Sequence, residues 1–286
     1  MRRGILLSPL SRAVLLLLYL GYTLLPILWL LLSTVRTEAS LLEEGVAISP
    51  AGFTLRNYVE IFRPAAFGEA RGHSTFLLAL RNSLLVSVGA TGVALLLGTP
   101  AAYAFVRCNI PRKRAWLLVV LGTQLLPAVS LIIPLFRLLR GAGLLDTLAG
   151  LILAYSTFSL PFVVWIMASF FQGIPVELEE AARIDGASRW QAFTRIGLPL
   201  AAPGLAVTAV FTLLNAWDEF FFALIFTSTY ASKTLPVALA EFIGRHTVDW
   251  GMLVTGGLIA SLPPIALSFM CYRYVVSGLA AGGLKG

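Results

Sequence analysis

The sequence predicts an all-α integral membrane protein, and its composition and long apolar runs are the reasons. Of its 286 residues, 58% are hydrophobic and 12% are charged, whereas soluble domains carry about 25% charged residues. The mean hydropathy is +0.87. Several apolar runs reach the length of about 20 residues that a helix needs to cross a bilayer, so little chain is left for a separate soluble core. We therefore expect one membrane domain over residues 1–286.

Six runs are apolar enough to be membrane-spanning helices. The first follows three arginines, as a secretory signal peptide would, but it is longer than the apolar region of about 7–15 residues in such a peptide, so we interpret it as an uncleaved span. The predicted spans are 13–32, 82–106, 115–139, 148–171, 201–226 and 251–276. Proline disrupts a helix interior, so kinks or breaks are expected at Pro26, Pro100, Pro127, Pro134, Pro161, Pro263 and Pro264.

Short basic loops indicate the orientation of these spans. The segment 107–114 contains three arginines, one lysine and no acid, and such loops favour the cytoplasmic side. With six spans, both termini and the connection 172–199 are then cytoplasmic, and the long connection 34–74 is external. The net charge of +7 is spread over these connections, so we assign it to membrane topology and do not expect a nucleic-acid partner.

The loop 173–199, after the fourth span, is predicted to form a helix, a turn and a second helix. Glutamates in its first turns suit the positive end of a helix dipole, and Asp185-Gly186 is a turn signal. Ser188 and Gln191 have the spacing of a capping box, which predicts a second helix that ends before Pro199. An amphipathic helix that rests on lipid is the alternative interpretation of this loop.

The residues of this loop also carry a family resemblance. Glu180-Ala181-Ala182 is followed by three residues and Gly186, then by nine residues and Ile196-x-Leu198-Pro199. This pattern resembles the EAA loop of binding-protein-dependent ABC importer permeases. Further segments are similar to the carbohydrate, maltose-type branch of that family: 82–84, 100–105, 133–136, 143–147 and 283–286.

The resemblance implies a function and a set of partners. It implies that the loop docks a cytoplasmic ABC ATPase through Glu180, Ala181, Ala182, Asp185, Gly186, Ile196, Leu198 and Pro199. It also implies a second, homologous permease, an external solute-binding protein and a sugar as the solute. The sequence has no GxxxxGK[ST] phosphate loop, so we expect no enzyme activity, no cofactor and ATP hydrolysis by the partner.

Polar residues within the spans are candidates for the translocation pathway, because a polar group is costly there unless it has a role. The family typically has Trp-Asn-Glu-Phe in the fifth span, where this chain has Trp-Asp-Glu-Phe. The alternatives are that the amides bridge helices and that the acids pair with an arginine at position 81, 137 or 140. The candidates are Asn82, Gln124, Asn215, Asp218 and Glu219.

A glycerol-phosphate importer and an ion-coupled secondary transporter are the alternative functions. A glycerol-phosphate importer of the same branch would need basic groups in the pathway, and few are visible in the spans. An ion-coupled secondary transporter would use Asp218 and Glu219 as coupling acids, but the two halves show no clear repeat. The two cysteines, Cys108 and Cys271, and the two histidines, His73 and His246, have no metal-ligand spacing, so we expect no metal site.

Overall fold

The computed structural model describes residues 9–43, 52–63, 75–244 and 247–283, with side chains up to residue 271. These ranges are helical, and they contain two isolated bridges but no β-strand. The all-helical prediction is therefore confirmed for the described chain. The two histidines, His73 and His246, and residues 284–286 of the segment 283–286 lie outside the described residues.

One compact unit comprises Met1–Ser74 and Leu239–Ser261. It contains α1 (Pro9–Thr34), α2 (Glu38–Glu43) and α3 (Arg56–Ile61). The amide nitrogen of Asn57, on α3, donates to the carbonyls of Thr34 and Arg36 at 2.9 and 3.0 Å, and thereby satisfies carbonyl groups just at and beyond the end of α1. The connection after the first predicted span is thus tied back onto that helix.

The other unit comprises Thr75–Ala238 and Leu262–Gly286. Its centre is the packing of α4 (Thr75–Arg107) on α7 (Leu148–Gln172). Small residues allow this approach: a Cβ atom added to Gly89 would lie 2.7 Å from Ile152, and one added to Gly98 would lie 2.6 Å from Val163. Close backbone approach at small residues is the usual way in which membrane helices associate.

The third predicted span is two helices and not one. α5 (Lys113–Gly122) continues as a 3₁₀ turn, and α6 (Ile132–Gly141) begins after a second 3₁₀ turn, with a bend of 93° between the two arms. Leu126 is extended at ψ 126°, because the ring of Pro127 disfavours the helical conformation of the residue before it. The break expected at Pro127 is present, so the predicted span 115–139 consists of two helical arms.

The chain from 176 to 226 also departs from the sequence prediction. Its helices are α8 (Val176–Ile184), α9 (Arg189–Ala192), α10 (Leu198–Leu200), α11 (Ala202–Trp217) and α12 (Phe221–Phe226), with a π turn at Phe193–Gly197. The helical path does not end before Pro199 but runs through Leu200, with a bend of 74° before α11. The π turn relieves the clash of the Pro199 ring with the preceding turn.

The fifth predicted span, 201–226, is likewise interrupted. Asp218 is the C-cap residue of α11, and α12 starts only at Phe221. Glu219 accepts hydrogen bonds from the backbone N–H groups of Phe222 and Ala223 at 2.9 and 3.3 Å, so its carboxylate satisfies free donors at the start of α12. The two acids therefore end one helix and begin another.

α13 (Leu235–Ala240) and α14 (Trp250–Gly283) complete the described chain. Four helical stretches are long and apolar enough to cross a membrane: Leu10–Thr34, Thr75–Arg107, Leu148–Gln172 and Trp250–Cys271. The number rises to six if each of the two bent pairs forms one span. The structure therefore supports four to six spans by length and composition.

Candidate functional site

α8 ends at a glycine that adopts a left-handed conformation. Gly186 has φ +92°, its N–H donates to Arg183 O at 3.2 Å, and the N–H of Ala187 donates to Ala182 O at 2.9 Å. These two bonds form a Schellman motif, which satisfies carbonyl groups at a helix end and favours glycine. A Cβ atom at position 186 would meet no atom within 4 Å, so only the backbone conformation, and no contact within this chain, requires glycine there.

The predicted capping box starts the next helix. The Ser188 hydroxyl accepts from Gln191 N at 3.2 Å, and the Gln191 side chain accepts from Ser188 N at 2.8 Å. Local sequence thus defines both sides of the turn between α8 and α9, since a capping box and a Schellman motif each depend on residues a few positions apart.

A buried cluster of polar groups fastens α8 to α4. Glu179 is 4% exposed, and its carboxylate accepts from Arg107 Nε at 3.0 Å and from the Tyr103 hydroxyl at 2.6 Å. A second guanidinium nitrogen of Arg107 donates to Ile174 O at 2.8 Å. Every strong donor and acceptor named here has a partner, so burial of the charge is compensated.

Glu179 is a residue that sequence reasoning missed. Its place in the first turns of α8 predicts an exposed acid that complements the helix dipole, whereas the structure buries Glu179 and leaves Glu180 exposed. The available signal was on α4: Tyr103 and Arg107 are four residues apart and hence lie on one helix face. Two hydrogen-bonding side chains on one face of an otherwise apolar helix indicate a polar partner.

The other motif residues face outward or line a groove. Glu180, Ala181, Asp185, Gly186 and Pro199 are exposed. The groove lies between the two arms of the segment and is lined by Ala182, Asp185, Gly186, Ala187, Gln191, Arg195 and Ile196. Large apolar side chains flank it, with Ile184 87% and Trp190 64% exposed. The structure thus places four of the eight motif positions around one groove, and Leu198 is half-buried behind it.

A cavity of about 250 Å³ lies in the same unit, where α7 and α11 meet the broken third span. Three of the five predicted pathway residues line it: Gln124, Asn215 and Glu219. Its remaining lining residues are Tyr155, Phe158, Ser159, Phe162, Thr212, Ala216 and Phe222. The sequence did not indicate Tyr155 or Thr212, because hydroxyl-bearing residues on apolar helices usually bond their own backbone.

Some polar groups of this cavity form hydrogen bonds within the protein and others do not. The Gln124 amide donates to Phe158 O at 2.8 Å, so it also bridges two elements, as the alternative interpretation expected. The hydroxyls of Tyr155 and Thr212 are buried, and neither has a hydrogen-bond partner in the described part of the chain. The Tyr155 hydroxyl lies close to the Glu219 carboxylate and the Thr234 hydroxyl, but neither contact has the geometry of a hydrogen bond.

Two predicted pathway residues lie elsewhere. Asn82 is 2% exposed, and its amide nitrogen donates to the carbonyls of Tyr230, Ala231 and Lys233 at 3.0–3.2 Å. Asp218 is exposed at the end of α11. Among the described residues, neither Asp218 nor Glu219 forms an ion pair with an arginine, so the pairs suggested with Arg81, Arg137 and Arg140 are absent.

Asp146 also binds the loop around residues 228–233, which Asn82 contacts through its side-chain amide. Its carboxylate accepts from Ser228 N at 2.8 Å, from Thr229 N and Oγ1 at 3.0 and 2.8 Å, and from the Ser232 hydroxyl. Burial alone would raise the pKa of this carboxyl, but the hydrogen bonds from Ser232, Thr229 and Ser228 outweigh it and lower the pKa to about 2. Segments 82–84 and 143–147, noted above for their resemblance, thus position residues 227–235.

Comparison with known proteins gives a consistent result. Residues 74–280 match the family described as binding-protein-dependent transport system inner membrane component. The trehalose transport system permease protein SugB of Mycobacterium tuberculosis is 38% identical over 276 residues, 96% of this chain and 97% of the relative. The sulfoquinovosyl glycerol transport system permease protein SmoH of Agrobacterium fabrum is 36% identical over 262 residues, 91% and 88% of the two chains.

A solved structure is similar in fold. It is that of a bacterial ABC transporter involved in the import of the acidic polysaccharide alginate. The match has a TM-score of 0.76 at 22% identity, and it covers 94% of this chain and 99% of that one. The TM-score shows that the two chains share a fold.

Proposed function

The chain belongs to the family of binding-protein-dependent transport system inner membrane components, and from this premise we propose that it is a permease subunit of an ATP-binding-cassette importer for a sugar or oligosaccharide. It forms half of the translocation pathway and is not itself an enzyme. Two relatives that cover most of the chain support the substrate class, since one is a trehalose permease and the other a sulfoquinovosyl glycerol permease.

The observation that carries the coupling role is the geometry of residues 173–200. The segment presents Glu180, Ala181 and Gly186 on an exposed surface, while buried Glu179 attaches the same helix to α4. A rigid helix with small exposed residues admits close approach by another protein, and its attachment to a spanning helix gives a path by which ATP binding in a partner biases the permease. The docking residues are Glu180, Ala181, Ala182, Asp185, Gly186, Ile196, Leu198 and Pro199.

The partners and the topology follow from the same proposal. The importer contains cytoplasmic ATPase subunits that hydrolyse ATP, a second homologous permease and an external solute-binding protein. The chain is one domain in the plasma membrane with six spans, of which the third is bent and the fifth is interrupted after Trp217, and both termini and the 173–200 segment are cytoplasmic. The basic loop 107–114 supports this orientation.

The translocation pathway of this subunit includes Gln124, Asn215 and Glu219, because these residues line one cavity. The pathway does not include Asn82 or Asp218. The Asn82 amide donates hydrogen bonds to three carbonyl groups, and Asp218 is the C-cap residue of α11. A phosphorylated or otherwise anionic solute is the alternative. Glu219 is the one acidic side chain among the residues that line the cavity, and the lining contains no basic side chain, which does not favour an anion.

The test is affinity purification of the tagged chain from its native membrane in mild detergent, followed by mass spectrometry of the bound proteins. We expect an ATPase with a phosphate loop and a second permease with an EAA segment. Gly186→Asn keeps the left-handed conformation, which asparagine tolerates, but adds a side chain to the docking surface, so the ATPase should be lost while the level in the membrane is unchanged. Glu180→Lys should act in the same direction by reversing a charge.

The chain offers a matched control. Gly143 has φ +69°, a Cβ atom there would meet nothing within 4 Å, and it closes a second Schellman motif, after α6. Because it lies on the side proposed to be external, Gly143→Asn should retain the ATPase. Equal ATPase recovery from both variants and the unmodified chain would contradict the docking role. A chain that purifies alone and moves a solute along an ion gradient would instead identify a secondary transporter.

A further inference from the structure

The outer face of α6 carries arginines among large apolar side chains. The inner face packs against the hydrophobic core of the unit through four residues: Ile132, Leu135, Phe136 and Leu139. On the outer face Arg137 and Arg140 are exposed. Ile133 and Leu138, on the same face, are each 68% exposed. Arginine extends along apolar surface while its charged end stays in a polar layer, so this mixture suits a membrane interface better than water.

The bend in the third predicted span places α6 close to a membrane surface. The first arm, Lys113–Leu125, is about 20 Å long at the rise of an α-helix, whereas the hydrocarbon core is about 30 Å thick. The arm therefore ends about 10 Å from the far boundary of the core, and helices that lie in the interface are buried by about 5–10 Å. The second arm, which contains α6, turns away at 93° and so runs along that surface.

A groove between α6 and α12 combines apolar walls with the two arginines. Its volume is about 350 Å³, within the range of about 300–1,000 Å³ for ligand pockets. The lining residues are Ile132, Ile133, Phe136, Arg137, Arg140 and Ile225. The rings of Phe136 and Phe226, with centroids 6.4 Å apart, pack the two helices together. The groove thus suits a hydrocarbon chain that ends in an anionic group.

The two arginines have bonding capacity that the described residues do not use. In that part of the chain, neither Arg137 nor Arg140 forms an ion pair, and the groove lining contains no acid. Residues three positions apart on a helix are neighbours, and a guanidinium group binds phosphate through two parallel N–H groups. Both arginines can therefore bind one phosphate. A headgroup with an ammonium would find no acid for that cation in the groove.

We propose that the groove between α6 and α12 binds an anionic glycerophospholipid of the external leaflet. Arg137 and Arg140 hold its phosphate, and an acyl chain lies along Ile133, Phe136 and Ile225. The proposal rests on the membrane topology proposed above, which places the end of α6 on the external side. It gives the two arginines a partner in the bilayer.

The experiment uses the complete importer, purified with its native partners and reconstituted in vesicles of equimolar phosphatidylglycerol and phosphatidylcholine. The photocrosslinker p-benzoylphenylalanine replaces Leu138, which is exposed beside the groove but does not line it. After illumination, mass spectrometry of this chain gives the ratio of the two lipid adducts. We expect about 25 phosphatidylglycerol adducts for each phosphatidylcholine adduct, and a ratio about fivefold lower in Arg137→Gln and in Arg140→Gln, the effect of one arginine at an anionic surface.

Arg81→Gln is the matched control. Arg81 is also exposed and lies near the proposed external end of α4, but it does not line the groove. The adduct ratio in this variant should stay within about twofold of the parent, because the same charge is removed away from the site. Excess inorganic phosphate should also leave the ratio unchanged, since a soluble anion has no chain for the apolar walls.

Each outcome supports the lipid site or overturns it. Equal ratios in the parent and in the Arg137 and Arg140 variants would show that the groove does not select the headgroup. A ratio abolished by inorganic phosphate would identify a site for a soluble anion. If Arg137→Gln keeps the lipid ratio but lowers the stimulation of ATP hydrolysis by the external solute-binding protein, this face docks that protein and the lipid site is wrong.

ATP-dependent uptake of radiolabelled trehalose by the same vesicles separates this proposal from the proposed function. Uptake without a preference for phosphatidylglycerol would retain the importer and remove the lipid site. A preference for phosphatidylglycerol in vesicles that take up no sugar would retain the lipid site and count against the sugar importer.

Discussion

Two regions of the molecule bury polar groups in opposite ways. In the segment 173–200, the Glu179 carboxylate is bonded by Tyr103 at 2.6 Å and by Arg107 at 3.0 Å. In the cavity, the Tyr155 hydroxyl lies close to the Glu219 carboxylate and the Thr234 hydroxyl, but it forms no hydrogen bond of good geometry with any described residue. Each region thus holds a tyrosine beside an acid, and the hydroxyl is paired in one and unpaired in the other.

The two arrangements differ in how strongly they fix the surrounding structure. A buried polar group that is fully paired makes one arrangement rigid, because any displacement leaves a charge or a donor without a partner. The ring of Tyr103 adds packing, with centroids 4.8 Å from Phe193 and 5.4 Å from Phe171. A buried hydroxyl without a partner does not fix the surrounding structure in this way. The paired cluster makes the first region rigid, as the proposed coupling role requires, whereas the cavity wall contains two hydroxyls without a partner among the described residues.

The largest expected effect comes from removal of the cation in the paired region. Arg107→Ala leaves the Glu179 carboxylate buried without its counter-charge, and loss of one partner of a buried pair costs about 3–5 kcal/mol. We expect a clear decrease in the melting temperature of the purified importer and a loss of ATPase association. Both are measured on the detergent-solubilised complex, by thermal unfolding and by mass spectrometry of the bound proteins.

An exposed ion pair provides the control for that variant. Arg56 pairs with Glu60 on α3, and its side chain is 76% exposed, so Arg56→Ala should cost at most about 1 kcal/mol. If Arg107→Ala melts at the same temperature as Arg56→Ala, the buried ion pair contributes no more stability than the exposed one, and the comparison between the two regions fails.

A pair of tyrosine variants tests the comparison directly. Tyr103→Phe leaves an oxygen of buried Glu179 without its donor and should cost about 1–3 kcal/mol of stability. Tyr155→Phe removes a hydroxyl that has no partner among the described residues and should be neutral or slightly stabilising, because an unsatisfied buried group is replaced by hydrogen. Thermal unfolding of both variants in the absence of solute is the measurement. Equal losses would show that the Tyr155 hydroxyl is bonded within the fold.

What the sequence predicted, and what it did not, follows from the range of the interactions. The Schellman glycine at 186 and the capping box at 188–191 depend on neighbours within five residues, and the sequence alone located both. The Glu179 cluster joins residues 72 and 76 positions apart, and the cavity combines residues from four helical elements. Such contacts depend on how helices pack, which periodicity and hydropathy do not specify.

The interruption of the fifth predicted span shows a different limit. Hydropathy averages over a window of about 19 residues and therefore passes over two adjacent acids in an apolar run. The structure ends α11 at Trp217 because the side chain of Glu219 supplies the cap of α12. The same acids were interpreted as pathway groups, and only Glu219 lies at the cavity. A charge in a predicted span thus has to be tested as a helix terminator before it is assigned to transport.

The smallest expected effect concerns a third carboxylate, which is paired but only half-buried. Asp146 accepts hydrogen bonds from the segment 228–232, and Asp146→Asn removes the charge that strengthens them, at a cost of about 1 kcal/mol after allowance for solvent screening. Its pKa is lowered from 3.8 to about 2 in the folded protein, so its stabilisation is complete above pH 4 and is lost as the pH falls from about 4 to about 2. The melting temperature should therefore decrease between pH 5 and pH 3 by more in the unmodified importer than in Asp146→Asn. If the two curves are parallel, the hydrogen bonds of Asp146 do not stabilise the loop, and pairing alone does not distinguish a structural carboxylate from one free to serve a ligand.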